Sequence, residues 1–137
     1  MDIQFYGANC VVFTIKQTRI VIDDNLSDLG GKSINKEGDV ALFTGAHGQP
    51  TKPTKIVIDQ PGEYEVQGVL IYGIAARGHM DEVGQKTATM YKLINDEESI
   101  LITGHIYPEL SDNELETIGM IDVMVVPVGG SGYSNLA

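Results

Sequence analysis

The chain has 137 residues, with 9 basic against 19 acidic side chains and one cysteine. That length fits a single domain, 1–137, able to bury roughly two thirds of its unfolded surface without disulfides or a structural metal. A formal charge of -10 with the lysines and arginines scattered singly repels phosphate backbones and anionic lipid, which excludes nucleic acid and membrane surfaces as expected partners.

The opening MDIQFYGANC has no basic segment leading into a long apolar run, so no secretory leader is expected. Cys10 cannot pair within the chain, which points to a reducing, cytoplasmic home and, early in an apolar strand without a neighbouring base, to a buried inert thiol. No apolar stretch approaches the roughly 18 residues needed to cross a bilayer.

Strands are predicted in chain order at IQFYG (3–7), CVVFTI (10–15), RIVID (19–23), VALFT (40–44), KIVID (55–59), YEVQGVLIYGI (64–74), TATMYKLI (87–94), SILITG (99–104) and DVMVVPV (122–128). Each is rich in Val, Ile, Thr or Tyr and bounded by Gly, Pro, Asn or Asp. Between the third and fourth, 25–38 is polar and reads as a loop with a turn of helix at Leu26 to Leu29. Pro61-Gly62 suits a type II turn before the strand that begins at Glu63. In LSDNELETIG, Ser111 and Glu114 have capping-box spacing, Leu115 and Ile118 give an apolar face, and Gly119 supplies the stop. Gly129, Gly130 and Gly132 lack the helix and Lys-Ser/Thr of a phosphate loop and read as a turn.

The reactive groups gather at strand-to-loop junctions: Asp23 and Asp24 in IDDN, His47 in GAHGQP, His79 and Asp81 in RGHMDE, and His105 in TGHIYPE. Junctions of this kind are where a rigid sheet presents side chains to a ligand. His47 stands alone in its loop, although a catalytic zinc site takes about three protein ligands and one open position.

FYGANCVVFTIKQTRIVIDDNL, DVALFTGAHGQP, PGEYEVQGVLIYGI, HMDEVGQ and LSDNELETIGMIDVMVVPVGG resemble, in order, the metallo-β-lactamase-fold hydrolases, and within them the small branch similar to the L-ascorbate 6-phosphate lactonases. The resemblance implies an α+β fold, a strand-rich metallo-β-lactamase-like αββα sandwich that is C-terminally short. Laid on the family's His-x-His-x-Asp-His loop, Gly45 falls at the first histidine, His47 at the second, Gln49 at the aspartate and Pro50 at the last histidine. In the later Gly-Asp-Leu-Gly-His run, His105 takes the aspartate position and Pro108 the histidine, and Ile102 replaces a histidine that commonly precedes it. The family's last ligand histidine lies on a strand beyond a further helix, and neither follows PVGGSGY here.

By the same resemblance His47 and His105 converge on one pocket, as catalytic groups or as ligands with a carboxylate. Asp24 is the carboxylate entered with them, and Asp23, Glu63 and Asp81 are alternatives that spacing does not separate. His79, Asp81 and Glu63 are candidates for substrate contact or for orienting a ligand. The expectation is a decayed metal site with little activity, a pseudoenzyme serving as a binding or assembly module, with cofactor absent or weakly bound. The alternative is an active hydrolase of an ester, lactone or phosphoester that uses zinc or manganese in a rearranged mononuclear site. A small-molecule substrate is not identified by the sequence. Because IDVMVVPV is apolar on both faces, a homo-oligomer covering the sheet near Val123 to Val128 is expected.

Overall fold

The structure is a computed structural model that describes residues 2–6, 10–24, 34, 36–45, 54–78, 80–96, 98–104, 106 and 110–126. The chain divides into two compact units, 1–59 and 60–137.

In the first unit β1 (Asp2–Phe5), β2 (Val11–Ile15), β3 (Thr18–Ile22), β4 (Val40–Leu42) and β5 (Ile56–Ile58) hydrogen-bond in that order. The β1–β2 and β2–β3 pairs are antiparallel, and the β3–β4 and β4–β5 pairs are parallel. Most of β2, β3 and β4 is buried without alternation, as strands covered on both faces should be. Phe13, Ile20, Ile22, Val40 and Leu42 have no exposed surface. Each contributes about 1.5–3 kcal/mol by leaving water, so these central strands carry the unit. The edge strand β1 contributes less, since Phe5 keeps 70% of its surface exposed.

The β2–β3 turn is closed by Lys16 and Gln17, both at positive φ (49° and 68°), with Ile15 paired to Thr18. A two-residue hairpin loop takes this shape to match strand twist, and it favours Asn-Gly. Holding a side chain in this region costs roughly 1–2 kcal/mol, partly offset because glycine is freer in the unfolded chain. Gln17→Gly is therefore expected to stabilise the protein by about 1 kcal/mol, raising its thermal midpoint by roughly 3–5 °C. An unchanged or lower midpoint in a thermal melt would show that Gln17 makes compensating contacts.

In the second unit the sheet order is β10 (Val123–Val125), β9 (Glu98–Ile102), β8 (Ala88–Asn95), β7 (Val69–Ala76) and β6 (Gly62–Val66). Only β10–β9 is parallel. The run 64–74 is thus not one strand but the body of a hairpin, broken by Gln67 and Gly68 at φ 50° and 83°. Val66 and Val69 are both buried although three residues apart, a spacing that a single strand of period two cannot satisfy. Gly62 has φ 156° and opens β6, so it does not hold the second corner of a type II turn, which needs about +80°. Gly73, its partner in β7, has no room for a side chain: a Cβ would lie 2.8 Å from the Gln60 carbonyl oxygen.

Helix α1 (Asp112–Ile118) begins with the expected capping box. Ser111 Oγ accepts from Glu114 N, and Glu114 Oε1 accepts from Ser111 N. Its packing differs from expectation, since only Ile118 is buried and Leu115 remains 52% exposed. Seven residues are too few to lay a full stripe on a sheet. The helix is held instead by Ile118 and its flanks Leu110 and Ile121 against Ile74, Ala76, Met90, Leu101 and Ile106. No basic residue lies in its last turn. Lys92 of β8 supplies that charge, donating from Nζ to the Ile118 carbonyl at 2.6 Å.

The helical turn expected at Leu26 to Leu29, the glycines after Val128 and most of the apolar stretch beyond Val125 lie outside the described residues. Among the described residues no helix is long and apolar enough to cross a membrane.

Candidate functional site

Parallel pairing of β3 with β4 sets Ile22 beside Leu42, so the residues that follow each strand leave the sheet together. Asp23 N donates to the Leu42 carbonyl at 2.8 Å, extending the ladder by one bond. Asp23 itself has φ 55°, a region that aspartate tolerates better than most residues. With that kink β3 ends at Ile22, one residue short of the strand predicted at 19–23.

Both Asp23 oxygens are engaged by one neighbour. Oδ1 accepts from Thr44 N at 2.7 Å and Oδ2 from Thr44 Oγ1 at 2.6 Å. Burial pushes the Asp23 carboxyl above its usual range, and the two Thr44 hydrogen bonds pull the other way. Asp23 thereby fixes the mouth of the loop in which His47 stands in sequence. Asp24 is 3% exposed and accepts from Ile34 N at 2.8 Å through Oδ2. Both aspartates raise the pKa of buried Cys10, but burial is the larger cause, and the thiol is pushed up to about 12. It stays protonated at neutral pH and is no nucleophile, as its apolar setting implied.

In the second unit Asp81 organises its own loop. Its Oδ2 accepts from Gly78 N at 2.7 Å and Thr87 N at 2.9 Å, and the Thr87 hydroxyl reaches both oxygens. Hydrogen bonds from Thr87, with Gly78 next, hold this carboxyl below its usual value. The isolated bridge between Gly78 and Ile106 joins the two segments in which His79 and His105 stand in sequence. Glu63 lies on edge strand β6, exposed and opposite Tyr72. His47, His79 and His105 lie outside the described residues, as do Gln49, Pro50 and Pro108.

A zinc centre needs about three protein ligands. Among the described residues no three His, Cys, Asp or Glu side chains are grouped to hold a metal, and Asp23, Asp24 and Asp81 already accept internal hydrogen bonds. The described residues alone do not fit such a centre. Thr44, the partner that defines Asp23, was not singled out from sequence. The two dipeptides, Asp23-Asp24 and Phe43-Thr44, come side by side only through the parallel pairing of β3 with β4.

Residues 2–137 match the family model described as a β-lactamase superfamily domain. The chain belongs to this family. A candidate Zn-dependent hydrolase of the metallo-β-lactamase superfamily from Thermotoga maritima is similar at 25% identity and a TM-score of 0.70, over 96% of this chain and 62% of that one. This metallo-β-lactamase-fold chain therefore spans less than two thirds of that relative. Two further structures share the fold: YhfI of Bacillus subtilis, a metallo-β-lactamase fold protein (12% identity, TM-score 0.59, 89% of this chain and 65% of that one), and CmlA of Streptomyces venezuelae, a diiron β-hydroxylase (16%, 0.60, 89% and 33%). No curated protein gives a significant match. Among the described residues, two mixed five-stranded sheets and one helix form a strand-rich metallo-β-lactamase-like fold, as the sequence resemblance implied.

Proposed function

We propose that this metallo-β-lactamase-fold chain is a pseudoenzyme, a binding or assembly module that keeps the scaffold of a metal-dependent hydrolase without its metal centre. This reading is carried by the loop after β4: laid on the family's His-x-His-x-Asp-His loop, Gly45, Gln49 and Pro50 fall at three of the four ligand positions and only His47 keeps a ligand side chain. None of those three replaces an imidazole or a carboxylate. The commitment of Asp23 and Asp24 to Thr44 and Ile34 supports it, because a carboxylate recruited to rescue the site would have to give up buried hydrogen bonds.

Protein purified without chelators is expected to carry no stoichiometric zinc or manganese by elemental analysis, and to show at most trace hydrolysis of generic esters, lactones or phosphodiesters. A tightly held stoichiometric metal that is lost in both His47→Ala and His105→Ala would overturn the proposal. So would turnover abolished by a chelator and restored by zinc.

A further inference from the structure

One face of the second sheet carries a groove of about 520 Å³, within the range of roughly 300–1,000 Å³ typical of small-molecule sites. Its lining includes Glu63, Tyr72, Lys92, Ile74, Ile94 and, from α1, Thr117. The first three form a cross-strand row, Glu63 paired with Tyr72 and Tyr72 with Lys92. Directly opposed residues project to the same face, so an acid, a phenol and a base lie in line.

Acid and base do not neutralise each other. Two strand spacings separate their backbones by about 9.6 Å, and among the described residues no ion pair joins them. The Glu63 carboxylate and Tyr72 hydroxyl have no hydrogen-bond partner among the described residues. Lys92 uses one of its three donors on the Ile118 carbonyl, which anchors the ammonium at the groove and leaves two donors. Protection of a sheet edge would account for Glu63 alone. It does not account for Tyr72 and Lys92, which lie on the next two strands inward.

We propose that this groove binds short peptides of about three residues with free termini. An extended tripeptide spans at most roughly 10 Å, comparable to the two strand spacings between the Glu63 and Lys92 backbones. Its ammonium group meets Glu63, its carboxylate meets Lys92, the Tyr72 hydroxyl serves an amide between them, and Ile74 and Ile94 receive an apolar side chain. Glu63 is also an alternative carboxylate for the metal centre, but the pseudoenzyme reading rests on the loop after β4 and not on Glu63, so the two stand or fall separately.

Amide chemical-shift mapping with the tripeptide Ala-Leu-Ala tests this. Saturable shifts are expected at Glu63, Tyr72, Ile74, Lys92 and Ile94. N-acetylated and C-amidated forms of the peptide should each bind about three- to fivefold more weakly, the loss of one exposed ion pair. Glu63→Gln should weaken the free peptide by the same factor and leave the N-acetylated peptide unchanged. The amidated peptide probes Lys92 without a substitution that could loosen α1. The proposal is overturned by no saturable shift in the millimolar range, by shifts centred elsewhere, or by equal binding of the blocked peptides. Shifts at these residues that depend on protein concentration without peptide would overturn it too, showing that a second copy occupies the groove.

Discussion

Asp23→Ala is expected to destabilise the protein by about 2–4 kcal/mol in denaturant melts, because two donors on Thr44 lose their acceptor where water does not reach. Thr44 is 4% exposed and Asp23 7%, so neither donor can turn to solvent without opening the ends of β3 and β4. Asp23→Asn keeps the size and the tolerance of φ 55°, and its amide can accept from Thr44 N and donate to Thr44 Oγ1. It should therefore cost much less than the alanine change. If alanine and asparagine prove equally harmful, the carboxylate charge matters in itself and the hydrogen-bond account is wrong.

The same pair gives a pH dependence with a defined sign. Burial raises the folded carboxyl above its unfolded value, so the folded state holds the Asp23 proton more tightly than the unfolded one. The stability associated with that proton is fully present below the ordinary carboxylate pKa and is lost as pH rises through the higher folded value. The asparagine variant carries no such titration. The stability of the parent relative to Asp23→Asn should fall as pH is raised from the ordinary carboxylate range towards neutrality. A gap that widens in favour of the parent over that interval would mean the Thr44 hydrogen bonds outweigh burial.

Asp23 also marks what the sequence could and could not disclose. Its charge at a strand end was legible, and its loop location made it one of several ligand candidates, but its partner is brought close only by the parallel β3–β4 register. Local features were easier to read. The capping box of Ser111 and Glu114 lies within one turn, and the apolar runs of β2, β3, β8 and β9 needed only composition. The hairpin at Gln67 and Gly68 was hidden because the flanking residues are as apolar as a continuous strand, and no Asn or Pro marks the corner. Leu115 was misjudged because a helix period says which residues share a side, not how far a short helix reaches over its sheet. The row of Glu63, Tyr72 and Lys92 was invisible for the reason that hid Thr44: its members meet through strand register alone.

Asp39→Ala is expected to cost about 2–3 kcal/mol, since it removes the carboxylate that joins Arg19 of β3 to the segment before β4, while the backbone bond to Lys55 stays. Its Oδ2 accepts from Arg19 of β3 at 2.9 Å and from Lys36 N at 2.8 Å, while its carbonyl accepts from Lys55 N, just before β5, at 2.9 Å. The Asp39 side chain is 5% exposed and that of Arg19 23%. Breaking a fully buried pair costs about 3–5 kcal/mol because a charge is left without a partner, and partial solvation of Arg19 lowers that figure. Asparagine at this position still accepts from Lys36 N and should recover part of the loss. The double variant Arg19→Met with Asp39→Ala separates the two causes. If the cost comes mainly from the stranded guanidinium, the double variant will be more stable than Asp39→Ala alone, because no unpaired charge remains. If the two single costs simply add, the ion pair contributes little, and the Lys36 hydrogen bond is what ties the segment before β4 to the sheet.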